Sequence, residues 1–399
     1  MSEALQFEHI RKVAEENSKR VLEAFSKHRV SDTMFAGTTG YGYDDQGRDT
    51  LDAIYADVFG AEDALCRIQF VNGTHALFCA LFGALNPGDT LLSITGAPYD
   101  TLLGAIGVNN PSHGTLTEYG VKYREVPMRD GGVDIDAAAS AVSEEENVLI
   151  YIQRSRGYGD RRALSVSEIG DIIEKLKGIN PKALVMIDNC YGEFCETREP
   201  THVGADIMAG SLIKNPGGGL APTGGYVAGR RDLVERAAER LTVPGIGREC
   251  GSSLGNNRLL FQGFFMAPHI VAQALMTSIF AAKTFEEMGF EVSPKADDAR
   301  YDIIQTIELG NPEKLKAFCR GIQSGAPCDS FVTPEPWAMP GYDDEVIMAA
   351  GAFVQGSSIE LSADAPMREP YRVYLQGGIT YESGKLGIIR AAEEIKKLG

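Results

Sequence analysis

Ala183-Leu-Val-Met-Ile-Asp188 is an unbroken apolar run that ends abruptly in a carboxylate. A run of strand length without polar alternation predicts a strand buried on both faces, as in a parallel sheet covered by helices. Similar runs, Leu65–Phe70, Thr90–Ile94, Val121–Val126, Val148–Ile152 and Gly225–Ala228, are separated by helical stretches such as Thr74–Leu85, Val166–Lys177 and Arg231–Leu241. That alternation confines the chain to the α/β class with a mainly parallel, helix-covered central sheet. Ligands in such sheets collect at the carboxyl ends of the strands, so Asp188 stands at the edge where chemistry is expected. A second apolar run, Ile207-Met-Ala-Gly, leads to the same edge and brings Lys214 there.

Lys214 is the only charged residue between Asp206 and Arg230, with Leu212 and Ile213 before it and glycines and prolines after it. Most lysines simply face water. One set among apolar residues is expected to be desolvated, to have a lowered pKa and to act as a nucleophilic amine, which is what imine chemistry uses. Asp188 alone fits a helix N-cap or a turn equally well. A carboxylate able to pair with a protonated pyridine nitrogen, together with an imine-forming lysine, is what pyridoxal phosphate asks of a protein.

The bounds agree with a small-molecule enzyme. With 399 residues, two domains are expected: residues 1–60 as an N-terminal helix and a loop serving dimer and cofactor, 61–257 as the large domain, and 258–399 as a smaller α+β domain. Hydrophobic residues at 44% and charged residues at 23% match an ordinary globular protein, and a net charge of −17 argues against nucleic-acid partners. The amino end reads as a charged helix from Gln6 to about His28, without a signal peptide. Seven cysteines without a CxxC pair suggest free thiols in a cytoplasmic protein. The most apolar segment, Gly263 to Ala282, contains Pro268, His269 and Gln273 and reads as a buried helix, with a possible kink at Pro268, and not as a membrane span. The six histidines show no metal-ligand spacing. From about Tyr301 longer strands mixed with proline are expected, closed by an amphipathic helix, Glu382 to Leu398.

Three loops are placed to complete a cofactor site. Asn72-Gly73-Thr74 lies between a strand and a helix, where glycine lets the backbone close on an anion and the helix N-terminus favours phosphate; it fits an ordinary cap equally well, and His75 beside it reads as a cap or packing residue. In Gly96-Ala-Pro-Tyr99-Asp100 the aromatic side chain suits stacking on a flat ring, or plain packing. The loop from Gly37 to Arg48, which precedes a helix from Asp49 to Phe59 stopped by Gly60, offers Tyr41, Tyr43 and Arg48 as phosphate donors; it also fits a plain surface loop.

In order, Asn-Gly-Thr, Pro-Tyr-Asp, Asp-Asn-Cys and Ser-Leu-Ile-Lys resemble the fold-type-I pyridoxal-phosphate enzymes of cysteine and methionine metabolism, the cystathionine lyase and methionine γ-lyase group. Gly-Tyr-Gly-Tyr-Asp-Asp-Gln-Gly-Arg, the stretch Gln153 to Tyr158, Lys-Asn-Pro-Gly-Gly-Gly and Gln376-Gly-Gly-Ile-Thr resemble the branch labelled aluminium resistance protein. The likeness runs from about residue 30 to the end. It implies an aspartate-aminotransferase-type fold, Lys214 as the imine lysine, Asp188 as the pyridinium partner, Tyr99 as the stacking aromatic, and Gly73, Thr74 and Ser211 with Asn72 around the phosphate. By the same likeness Tyr41 or Tyr43 with Arg48 reaches the phosphate of a neighbouring subunit in a homodimer or homotetramer, and Arg372 grips the substrate carboxylate.

Departures from the pattern bear on the substrate. The lyases commonly carry a hydroxyl residue before the lysine, and here Ile213 stands there. The tyrosine–arginine spacing is altered, which leaves the choice of tyrosine open. Arg154, Arg156, Arg161 and Arg162 crowd the end of the Val148–Ile152 strand and suit either a second acidic group, with Arg156 as a substrate contact, or plain ion pairing. The resemblance implies α-proton removal followed by β- or γ-elimination of sulfur from cystathionine, cysteine or methionine. An aminotransferase or aldolase would share every anchor, and a binding or stress-response role without catalysis would have no need of the lysine–aspartate pair.

Overall fold

Burial on both faces is met by a seven-stranded sheet in a computed structural model that describes residues 3–108, 113–339 and 344–399. Its strands are β1 (Asp63–Arg67), β2 (Thr90–Ser93), β3 (Lys122–Glu125), β4 (Val148–Gln153), β5 (Leu184–Asp188), β6 (Ile207–Ser211) and β7 (Gly225–Gly229), in the order β1-β7-β6-β5-β4-β2-β3. Strands β3, β2, β4, β5 and β6 are parallel, and β7 runs against both its neighbours. The apolar runs therefore mean what they predict: Val185 and Ile187 of β5 enter the core on one face, while Met186 enters the core on the other. Only β1 is displaced from the expected Leu65–Phe70. Its ladder with β7 pairs Asp63 with Gly229 and Arg67 with Gly225, and Phe70 is instead packed beyond the strand in the core that holds Leu77 and Val227.

The helix expected from Asp49 begins earlier, at Gln46, because the Asp45 side chain caps it by accepting the Arg48 N–H at 3.0 Å. Arg48 thus lies in a helix and not in a loop. Gly60, at φ 64, ends this helix as expected.

Residues Asn257–Glu287 form one helix of 31 residues that continues through Pro268. By length and composition it could cross a membrane, but 72% of its most apolar window is buried inside the protein. Leu260, Phe261 and Phe264 join the core of the large domain, whereas Ala281, Ala282 and Phe285 join the core of the small one. The expected border at residue 257 is therefore the start of a helix that both cores share.

The small domain holds β8 (Glu291–Ser293), β9 (Ile304–Glu308), β10 (Trp337–Ala338), β11 (Glu345–Ala349), β12 (Ser362–Pro366) and β13 (Arg372–Gln376). They form an antiparallel sheet in the order β10-β11-β12-β13-β9-β8, packed against helices Pro312–Ser324 and Tyr381–Lys396. These strands are short, not long as expected. Pro294 follows β8, Pro366 ends β12 and Pro370 precedes β13, and proline cannot donate to a ladder.

Candidate active site

Register brings the chemistry together. Gln153 at the end of β4 pairs with Asp188 at the end of β5, and Asp188 pairs with Ala209 of β6. Three adjacent parallel strands thus end at one edge, and the turn after β6 carries Lys214 back over it. A cavity of about 180 Å³ opens there, with Lys214, Asp188, Tyr99, Cys190, Tyr191 and Gln376 in its walls.

Asp188 is buried, and both its oxygens accept hydrogen bonds: Oδ1 from the Cys190 N–H at 3.0 Å, Oδ2 from the Tyr151 hydroxyl at 3.2 Å. Burial raises the Asp188 pKa, while the nearby Lys214 ammonium and these donors oppose the rise by favouring the carboxylate. Lys214 Nζ lies 3.9 Å from the centroid of the Tyr191 ring. Burial works against the ammonium, but Cys190, Tyr191 and Asp188 around it outweigh burial and hold the Lys214 pKa well above the ordinary lysine value. The lowered pKa expected from apolar sequence neighbours is thus corrected. Leu212 and Ile213 adjoin Lys214 along the chain, yet the fold surrounds the amine with acidic groups from β5 and the turn after it.

The helix Gly73–Ala84 points its N-terminus at this edge. Asn72 caps it, its side chain accepting the His75 N–H at 2.9 Å, and His75 Nδ1 accepts the Val71 N–H at 3.1 Å. Asn72 and His75 therefore hold the turn, and their side chains are engaged with backbone. A Cβ on Gly73 would stand 3.0 Å from the Ser211 Cβ, so the bare backbone lets the helix terminus approach the end of β6. The Tyr99 hydroxyl donates to Thr74 Oγ1 at 2.5 Å, and Thr74 Oγ1 lies 3.1 Å from Thr101 Oγ1. Burial pushes the Tyr99 phenol up, so it stays protonated.

These features suit pyridoxal phosphate: a half-buried lysine within the Coulomb field of a buried carboxylate, an aromatic wall, and a helix N-terminus beside a serine with no Cβ between them. Lys214, Asp188, Tyr99, Gly73, Thr74 and Ser211 are brought together. Tyr151, Tyr191, Thr101 and Gln376 were not singled out by sequence reasoning. Tyr191 follows Asp-Asn-Cys directly, but its place under the amine depends on a left-handed turn, φ 72, that tyrosine seldom adopts.

Other expected residues lie elsewhere. Arg372 starts β13, where its guanidinium donates to Glu308 and, at 3.2 Å, to Asp160. Gln376, four residues further along the strand, reaches the cavity instead, and four residues span roughly 13 Å of strand. Arg156 is a strut between the domains: its N–H donates to Asp302 at 3.0 Å and its Nη1 to the Ser293 carbonyl at 2.8 Å. Arg48 is buried and donates to the carbonyls of Gly42 at 2.6 Å and Gly251 at 3.0 Å, so it shapes the tyrosine loop and does not reach outward. Tyr41 and Tyr43 stack at 5.6 Å and are 75% and 56% exposed.

Behind Asp188 lies a buried polar network. Arg154 donates to Asn189 Oδ1 at 2.8 Å and pairs with Glu196 and Glu199. Glu193 accepts from the Tyr226 hydroxyl at 2.9 Å, and burial pushes its carboxyl up to about 8.

A mainly parallel sheet whose carboxyl edge carries a half-buried lysine beside a buried aspartate, with a separate antiparallel domain behind it, defines the fold-type-I architecture of pyridoxal-phosphate enzymes. Within that class the chain belongs to the methionine gamma-lyase family, whose model matches residues 2–396. It is 52% identical to protein YnbB of Bacillus subtilis (strain 168), over 97% of this chain and 92% of that one. A solved carbon-sulfur lyase involved in aluminum resistance from Clostridium novyi NT superposes with a TM-score of 0.94 at 52% identity, covering 98% of this chain and 92% of that one. The pyridoxal-5'-phosphate dependent protein YhfS of Escherichia coli shares the fold, with a TM-score of 0.65 at 17% identity over 97% of each chain.

Proposed function

We propose that this protein is a pyridoxal-phosphate-dependent carbon–sulfur lyase that cleaves a sulfur-containing amino acid by α-proton removal and β- or γ-elimination. The observation that carries the reading is Lys214 with Asp188 in one cavity walled by Tyr99. The cofactor, when bound, supplies an electron sink for the pair left at the α-carbon. Lys214 would hold it through Nζ, and the same Nζ, as a free amine, would take the α-proton of the substrate. Asp188, held by the Cys190 N–H and the Tyr151 hydroxyl, would pair with the ring nitrogen and hold a proton there. Tyr99, its hydroxyl fixed on Thr74, would offer its face to the ring. The N–H groups of Gly73 and Thr74 with the Ser211 hydroxyl would receive the phosphate.

The stacked, outward-facing Tyr41 and Tyr43 support a homodimer, or a tetramer of such dimers, in which this loop completes the neighbour's phosphate site. Seven cysteines outside any disulfide accord with a cytoplasmic setting.

The test is borohydride reduction of the reconstituted protein with peptide mapping, then a panel of amino acids assayed without a keto-acid acceptor. The expected result is an adduct on Lys214 and release of keto acid, ammonia and a thiol or sulfide. An adduct on another lysine overturns the cofactor role; need for an acceptor, or aldehyde release, overturns the lyase class alone.

A further inference from the structure

The four arginines clustered after β4 separate by what they touch. Arg154 is paired with Glu196 and Glu199, Arg162 with Glu168, and Arg156 reaches Ser293 across the domain junction. Arg161 differs. It donates only to backbone carbonyls, from Nε to Arg156 at 3.1 Å and from Nη1 to Thr95, and among the described residues no carboxylate lies within ion-pair distance of it. Those bonds fix the guanidinium plane and leave Nη2 without an acceptor among the described residues.

Arg161 lines a second cavity, of about 310 Å³, that shares Tyr99, Gln153 and Tyr158 with the lysine cavity. The partition between them is thin at Gly157, which lines the lysine cavity: a Cβ there would stand 3.7 Å from Arg161 Nη2 and 2.6 Å from Gln153 Nε2. Gly157 also has φ 56, which disfavours any side chain. Among the described residues Lys214 is the only cation in the walls of the lysine cavity, and on the lyase reading its amine would be engaged by the cofactor. Arg372, the arginine expected to hold the substrate, is occupied by Glu308 and Asp160.

Resting on the lyase reading, we propose that Arg161 receives a carboxylate of the amino-acid substrate, which lies across the shared wall of the two cavities. The guanidinium is oriented before binding and partly desolvated, the condition in which a charge-assisted bond to carboxylate discriminates best. That carboxylate is either the α-carboxylate or one at the end of the side chain, and binding separates the two.

The experiment is calorimetric titration of the cofactor-loaded protein with norleucine, norleucinamide and 2-aminoadipate, none of which has a sulfur leaving group. If the α-carboxylate is read, wild type prefers norleucine to its amide by roughly 10–100-fold. Arg161→Gln brings that ratio close to one, Arg161→Lys keeps part of it, and Arg372→Gln leaves it intact. If the side-chain carboxylate is read, wild type prefers 2-aminoadipate to norleucine, and Arg161→Gln removes that preference instead. No preference in wild type, or preferences that survive in Arg161→Gln and Arg161→Lys, overturns the proposal. Binding heats need no bond cleavage, so the proposal can fail while the lyase reading stands. Absence of a cofactor band or of thiol release counts against the lyase reading alone.

Discussion

Lys214 Nζ stands 3.9 Å above the ring of Tyr191, a residue held at φ 72 directly after the Asp188-Asn189-Cys190 turn. The ring face is electron-rich and favours an ammonium over a neutral amine. Replacing Tyr191 by Leu, which meets similar backbone strain, is expected to lower the Lys214 pKa by up to about one unit, since such contacts contribute about 1 kcal/mol when partly desolvated. Imine formation needs the free amine, so the rate at which the cofactor band grows should reach its plateau at a lower pH in Tyr191→Leu. Tyr191→Phe, which keeps the ring, should follow wild type. Identical profiles for all three proteins would remove the ring from the account.

Asp188→Asn should keep the covalent link to the cofactor and slow α-proton exchange by at least about 100-fold, the usual effect of removing one preorganised electrostatic partner. Exchange of the α-proton into deuterated water, followed by NMR, isolates this step from elimination. Wild-type exchange in Asp188→Asn would contradict the role given to the carboxylate.

Glu193 provides a pH signature of stability. Burial pushes its carboxyl up to about 8, whereas an unfolded chain releases that proton near about 4.3. Between these values the folded state binds the extra proton, so its stability falls as pH rises, by at most about 1.4 kcal/mol per pH unit. Glu193→Gln has no proton to lose. The unfolding free energy of the variant relative to wild type should therefore rise with pH through this window and level off above about 8, as denaturant titrations at several pH values will show. A flat difference would mean that Glu193 is ionised in the folded state.

Arg154 is fully buried against Glu196, Glu199 and Asn189. Arg154→Met strands Glu199, itself fully buried, and should cost about 3–5 kcal/mol in chemical denaturation. Loss of less than about 1 kcal/mol would show the network to be rearranged or hydrated.

If the Tyr41–Tyr43 loop completes a neighbour's site, two inactive variants should complement each other. Lys214→Ala mixed in equal amounts with a Tyr41→Ala/Tyr43→Ala chain and allowed to exchange subunits should regain about a quarter of wild-type activity, since half of random dimers are mixed and each has one intact site. No recovery after verified exchange would place the loop outside the shared site. Arg48→Met tests the support beneath the loop: without the bonds to Gly42 and Gly251, proteolysis between residues 37 and 45 should speed up.

The large-domain architecture was legible in the chain because strands buried on both faces leave no alternative to an apolar run, and Ala183 to Asp188 and Ile207 to Gly210 lie where β5 and β6 form. Lys214 and Asp188 were legible for a related reason, since a lone charge among apolar residues and a carboxylate closing a strand are both local anomalies. Gly73 and Tyr99 followed from strand–helix junctions. Assignments that depended on distant partners did not follow in this way. Arg372 has Glu308 from the neighbouring strand β9 and Asp160 from another domain to pair with, and Arg48 closes on carbonyls about 200 residues apart. The same holds for the Lys214 pKa: Leu212 and Ile213 suggest a lowered value, yet the folded protein sets Asp188 and Cys190 of a separate strand–turn unit around the amine. Periodicity and burial act along the chain and are written in consecutive residues, so the sequence alone determined the sheet and the residues at its edge. Pairing of charges acts through space at a few ångströms, and only the tertiary structure decided which arginine is occupied, which remains free, and what environment the lysine experiences.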